Sequence, residues 1–178
     1  MLGKIIKIVL VGIVLLALPI VYFGYQFYHT GEDYGLSRQL ADTTTKRTTA
    51  YGEVVGFIDE NSSHTWMGIP YAQAPVGELR WRAPLKPQPW DDIYEALQAG
   101  DFCKQFGSQM ESRPPSEWGT PIGSEDCLKL NIFAPAFATG AVPKGDSRLP
   151  VMVYVHGGGN MVGYANQFKY SGTQLAHT

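Results

Sequence analysis

Val151-Met-Val-Tyr-Val-His-Gly-Gly-Gly159 runs five consecutive apolar residues straight into a histidine and three glycines. The unbroken apolar run lacks the period-two alternation of a half-buried strand. Val151 to Val155 therefore reads as a strand covered on both faces, as in a parallel sheet packed between helices. Without Cβ atoms, Gly157, Gly158 and Gly159 can turn sharply and bring main-chain N–H groups close to a substrate oxygen. An oxyanion hole needs that arrangement. A glycine-rich strand-to-helix turn or a phosphate cradle would use the same tetrapeptide, and the motif alone leaves all three open.

Two upstream segments narrow the choice. Gly68-Ile-Pro-Tyr-Ala-Gln-Ala-Pro-Val-Gly-Glu-Leu-Arg-Trp-Arg-Ala-Pro84 and Ser124-Glu-Asp-Cys-Leu-Lys-Leu-Asn-Ile-Phe-Ala-Pro135 closely resemble the two N-terminal signatures of type B carboxylesterases, the group that includes cholinesterases. They stand in the order of that family, ahead of the His-Gly-Gly-Gly loop that serves lipases and esterases as an oxyanion element. The resemblance covers roughly residues 48 to 178. It implies an α/β class chain: the N-terminal part of an α/β-hydrolase fold, with a mixed, mostly parallel sheet and flanking helices. It also implies a parent protein that hydrolyses carboxylic esters through a serine acyl-enzyme, with a small-molecule ester as partner and no cofactor. The backbone N–H groups of Gly158 and Gly159 are the expected oxyanion donors, with Gly157 and His156 shaping the loop and His156 not acting as general base. Trp81 stands where the family usually has Phe, Lys129 where it often has Tyr, and Asn160 where an aromatic or small apolar residue is common. Asn160 adjoins the loop, so its effect is expected on substrate preference.

The same resemblance implies two structural links. Cys127 matches the second member of a family disulfide, and Cys103 is its expected partner. Closing a loop of that size contributes about 3 kcal/mol in the chain-entropy model. Arg80 and Glu125 match a buried ion pair that joins the two signatures. Trp118, inside the cysteine loop, reads as an aromatic packed beneath its own loop; the choline-binding role of a nearby family tryptophan is not carried over, because this loop departs in length and sequence.

Composition excludes other classes. A net charge of -2 with no run of Lys or Arg provides no field for nucleic acid. A hydrophobic content of 44% is ample for a packed core, so the chain as a whole is not disordered. The two cysteines are not in metal-ligand spacing, and zinc is not expected. Oligomeric state is not legible.

Lys4 and Lys7 precede an apolar run from Ile8 to Phe23 that meets Glu32 and Asp33 only afterwards. This pattern places the N-terminus in the cytoplasm and sends the remainder across a membrane. A retained anchor, with Tyr22, Tyr25 and Tyr28 at the interface, is the preferred reading, and a secreted form after signal cleavage the alternative. The expected organisation is a membrane segment over residues 1–29, a polar linker over 30–49, and an exported esterase portion over 50–178. Tyr51 to Ile58 and Thr65 to Ile69 read as a hairpin around Asp59-Glu-Asn-Ser-Ser63. Asn61-Ser62-Ser63 also fits a glycosylation pattern, but the turn is the preferred reading. Five prolines between Pro70 and Pro89 predict an irregular loop over the sheet, and Leu128 to Phe133 another strand.

The 178 residues contain no Gly-x-Ser-x-Gly elbow, and Gly145-Asp-Ser-Arg-Leu149 lacks its second glycine. The triad order of this fold puts the nucleophile, acid and base after the oxyanion loop, so the chain by itself is expected to be inactive, a portion cut before the elbow. Other readings are a non-catalytic cholinesterase-like adhesion or ligand-binding ectodomain and an inactive membrane-bound remnant.

Overall fold

The threonine-rich stretch assigned above to a linker is a strand. In the computed structural model, which describes residues 2–29, 38–111, 113–138 and 140–176, Asp42–Thr49 forms β1 and pairs antiparallel with β2, Gly52–Ile58. Residues 30–37 lie outside the described residues. Polar composition concealed β1, but its chemistry suits a strand: β-branched threonine fits a pleated surface, and the hydroxyls find partners. Thr45 is fully buried. Its Oγ1 donates to the Asp42 carbonyl at 2.5 Å and accepts from the Gly56 N–H at 2.8 Å, while its carbonyl accepts the Trp66 indole N–H at 2.9 Å.

β2 turns into β3, His64–Pro70, through the expected hairpin. Asp59 organises the turn. One carboxylate oxygen accepts the N–H groups of Asn61 and Ser63, and the other accepts the Thr65 hydroxyl. Ser62 sits in the left-handed region at φ 59°. β3 then pairs antiparallel with β7, Lys129–Ala134, one residue later than the expected strand. Between the pairs Trp66↔Ile132 and Ile69↔Leu130, β3 spends one residue more than its partner, which is a β-bulge. Gly68 makes it possible. Its φ is 71°, and a Cβ there would lie 2.6 Å from the Gln98 carbonyl oxygen. The Asn131 amide oxygen accepts the Gly68 N–H at 3.0 Å.

The bulge explains the core. Trp66 and Ile69, an odd number of residues apart, end on one face with Val54 and Ala96, while Met67 points to the other face with Phe57 and Leu97. β3 is therefore buried from His64 through Ile69. The short β4, Tyr94–Glu95, adds a parallel edge to β2, and the path runs β1-β2-β3-β7. Between Pro70 and Trp90 the chain is irregular apart from one 3-10 turn at Gly77–Leu79. A two-stranded ribbon of β5, Gln105–Phe106, and β6, Pro121–Ile122, stands separately.

Two expectations need correcting, and a third gains no support. The described sheet is mostly antiparallel, because its hairpin and β7 dominate and only β4 runs parallel. Val151 to Val155 pairs with no described strand. Its side chains are 59–87% exposed, since no described strand runs beside it to accept its hydrogen bonds. The third concerns the N-terminal segment. Leu2–His29 forms helix α1 with Pro19 inside it, and its described apolar side chains from Ile13 to Tyr25 are exposed. Among the described residues no helix is long and apolar enough to cross a membrane, so the membrane-spanning expectation gains no support. The only other α-helix described is α2, Thr173–Ala176, so the described residues include no flanking helices of the expected architecture.

His64 gives the hairpin a pH dependence. The imidazole is buried at 2% exposure, between Arg47, whose guanidinium lies 3.3 Å from Nδ1, and the Thr44 hydroxyl, 3.4 Å from Nε2. Burial, with Arg47 adding to it, holds the His64 pKa below its ordinary value, and Asp42 only partly opposes this. The unfolded chain therefore binds more protons than the folded one below pH about 6.5, and stability falls as pH drops through that region. The expected result is a lower urea midpoint at pH 5.5 than at pH 7.5, with the difference reduced in His64→Gln. Asp42, whose carboxyl is held below its usual range by the Thr44 hydroxyl and N–H, titrates lower and leaves this window alone. Equal slopes for the two proteins would remove His64 as the cause.

Candidate active site

The chain after Val155 folds back on itself within eight residues. Gly158 has φ 134° and Gly159 φ 62°. The Gly158 carbonyl accepts the N–H groups of Met161 at 3.1 Å and Val162 at 3.2 Å, closing a tight turn. A Cβ on Gly158 would lie 1.7 Å from the Val162 carbonyl oxygen, so no other residue fits there. Asn160 continues the turn at φ 58°. Asparagine is among the few non-glycine residues that tolerate this region, which is the backbone reason for its presence where the sequence comparison expects an apolar residue.

With the carbonyls of Gly157 and Gly158 turned into the loop, Gly157, Gly158 and Gly159 donate their N–H groups to no acceptor among the described residues. Backbone donors fixed by a closed turn and left without internal partners are what an anionic oxygen can use. His156 contributes shape. Its Nδ1 lies 2.9 Å from the Gly157 carbonyl, an acceptor that requires the proton on Nδ1, and the ring packs against Gly163.

The cysteine loop holds this turn from the side. Cys103 and Cys127 are bonded, with S–S 2.00 Å and Cα–Cα 5.0 Å. Inside the loop the Gln105 amide makes two hydrogen bonds to the Gly163 backbone. Glu111, 3% exposed, takes its side-chain bond from Ser108 and offers its carbonyl to the Tyr164 hydroxyl. Phe102 stacks on Tyr164 at 4.8 Å between centroids. Trp118 is half-exposed and donates its indole N–H to the Arg113 carbonyl of its own loop. Sequence reasoning passed over Gln105, Asn131 and the backbone role of Asn160; only Asn160 carried a local signal, as an asparagine following glycines.

Arg80 and Glu125 pair bidentately at 2.6 and 2.5 Å, joining the loop after β3 to the chain entering β7. The bonded guanidinium holds the Glu125 carboxyl below the usual carboxylate range, and the carboxylate raises the pKa of Arg80. The pair is exposed, not buried, because no described residue covers that side. Beside it Trp81 is fully exposed at φ 59°. A concavity of about 240 Å³ between Arg47, Trp66, Phe137 and Arg148 includes none of the glycine loop. Among the described residues no group of three His, Cys, Asp or Glu could hold a metal ion.

Comparison with known proteins places this arrangement. The family model described as the carboxylesterase family matches residues 43–178. The chain belongs to the carboxylesterase family. It is 42% identical over 129 residues to the para-nitrobenzyl esterase of Bacillus subtilis, covering 72% of this chain and 24% of that protein. With Carboxylesterase 3B of Mus musculus the identity is 43% over 120 residues, covering 63% and 19%. A solved para-nitrobenzyl esterase superposes with a TM-score of 0.62 at 38% identity, covering 75% of this chain and 25% of that one. A thermophilic para-nitrobenzyl esterase gives 0.61 at 40% identity, covering 75% and 26%. This carboxylesterase-family chain thus spans about a quarter of the length of these relatives. The match begins inside β1, which agrees with that segment being part of the fold.

Proposed function

We propose that this chain is the oxyanion-bearing part of a serine carboxylesterase. The observation that carries the reading is the turn at Gly158, whose φ of 134° and Met161 and Val162 hydrogen bonds leave the neighbouring N–H groups free to receive charge. In the reaction a serine attacks an ester carbonyl as a base takes its proton, the carbonyl oxygen becomes an anion that the N–H groups of Gly158 and Gly159 stabilise, and the intermediate collapses by breaking the ester C–O bond, the alcohol leaving with that proton. Water then hydrolyses the acyl-enzyme. The nucleophile, acid and base would come from residues outside these 178, and the chain by itself would bind no transition state productively.

Export is part of the proposal. A disulfide persists in an oxidising compartment, and Cys103–Cys127 supports placing the domain outside the cytoplasm, with the lysine-flanked apolar helix as the segment that directs it there. The test is to express the open reading frame that carries these residues and assay it with p-nitrophenyl butyrate, before and after an organophosphonate that traps activated serine. Turnover abolished stoichiometrically by the inhibitor is expected; a reading frame that yields neither turnover nor labelled serine would overturn the catalytic reading.

A further inference from the structure

Gln105 lies two residues beyond Cys103 and 58 residues before Gly163, yet the two form a closed ring. The Gly163 N–H donates to Gln105 Oε1 at 2.7 Å, and Gln105 Nε2 donates to the Gly163 carbonyl at 3.1 Å. A carboxamide facing both groups of one residue satisfies donor and acceptor together, and its orientation is unambiguous, since the flipped amide would oppose like groups. Nε2 also reaches the Cys103 carbonyl at 3.2 Å, which ties the side chain to the disulfide end of its own loop.

Gly163 is the point where the glycine loop closes. Its φ is 114°, and a Cβ there would lie 2.4 Å from the Gly157 carbonyl oxygen and 2.8 Å from His156 Nδ1. Backbone held at Gly163 is therefore pressed beneath the His156–Gly157 peptide, directly before the donors of Gly158 and Gly159. Among the described residues the turn between them is fastened internally by the two backbone bonds to the Gly158 carbonyl, and Val151 to Val155 on its other side pairs with no described strand, Tyr154 making a ring contact with Tyr170. The clamp at Gly163 is the described contact that fixes the turn against the rest of the fold by paired hydrogen bonds.

We propose that Gln105 is a positioning residue for the oxyanion loop, its carboxamide holding the Gly163 backbone so that the Gly158 and Gly159 N–H groups keep the direction a developing anion requires. The inference rests on the reading of that loop under Proposed function. Gln105 touches no reacting atom; it acts through one backbone residue, and the disulfide two residues away sets where it stands.

The experiment uses Gln105→Ala and Gln105→Glu in the protein expressed from the full reading frame, with two readouts. Amide hydrogen exchange at Gly163 reports the clamp whether or not the protein hydrolyses esters. Steady-state hydrolysis of p-nitrophenyl butyrate reports its consequence. Gln105→Ala is expected to speed exchange at Gly163 about tenfold and to lower kcat about tenfold with KM within about threefold, the signature of an interaction needed in the transition state. Gln105→Glu keeps an acceptor for the Gly163 N–H and is expected to recover much of the protection and part of kcat. Unchanged exchange in Gln105→Ala overturns the clamp, and faster exchange with unchanged kcat overturns its positioning role. An inactive wild type defeats the esterase reading while the exchange result still decides whether Gln105 holds the loop.

Discussion

Gly158→Ala is expected to lower kcat for ester hydrolysis by about 10²–10³ in the full reading frame, with KM within about threefold. Two independent features of the backbone demand it. The φ of 134° lies outside what an L side chain adopts readily, and the added methyl would stand 1.7 Å from the Val162 carbonyl oxygen, so the turn must open. Opening it moves the donors at 158 and 159 together. Gly159→Ala is the informative comparison. At φ 62° it enters the left-handed region, which costs about 1–2 kcal/mol, but nothing lies within 4 Å of its Cβ. If all of that cost appeared in the transition state, the rate would fall about 5- to 30-fold. A ranking with Gly158→Ala far below Gly159→Ala follows from geometry alone. Equal losses would show that the contact at Val162 does not set the ranking, and a rise in KM with kcat intact would show that the turn binds substrate without stabilising the anion.

What the sequence discloses here follows the range of the interactions. The β2–β3 hairpin is legible because Asp59 and Ser63 supply turn chemistry within five residues and the strands on either side are apolar. β7 is legible for the same reason, since Ala134-Pro135 ends it. β1 is not, because threonine looks like linker until Gly56 and Trp66 bring it partners from other strands. Val151 to Val155 shows the limit of a local pattern: its apolar run specifies burial on both faces, but burial needs neighbours, and the described residues offer only the Tyr154–Tyr170 ring contact. Each fully exposed large side chain there forgoes about 1.5–3 kcal/mol of burial. The glycine loop is legible as a motif, while the polar groups that hold it are not. Gln105 and Asn131 pair with backbone 58 and 63 residues away, and no local pattern encodes a contact of that range.

Removing the disulfide carries the second large expected effect. The segment between Cys103 and Cys127 buries few apolar side chains: Phe106, Met110 and Trp118 are exposed or half-exposed, and its ribbon has two strand pairs, Gln105↔Ile122 and Phe106↔Pro121, flanked by single bridges at Cys103↔Ser124 and Gly107↔Trp118. A segment with so few apolar contacts opens locally before the sheet does, so the covalent link sets much of its order. Closing a loop with a sequence separation of 24 contributes about 3 kcal/mol. Cys103→Ser with Cys127→Ser is expected to lower stability by about that amount in urea titration, with the oxidised wild type as reference. Trypsin supplies the local readout. Arg113 precedes Pro114 and is a poor site, whereas Lys104 is exposed beside the disulfide, so the first new cut should fall after Lys104. Because Gln105 follows immediately, loosening that point should also speed amide exchange at Gly163 as Gln105→Ala does. A serine variant with an unchanged midpoint and no cut at Lys104 would mean that the Phe102–Tyr164 stack and the Glu111 carbonyl bonds suffice to hold the loop, and the clamp on the glycine turn would then be independent of the redox state of the cysteines.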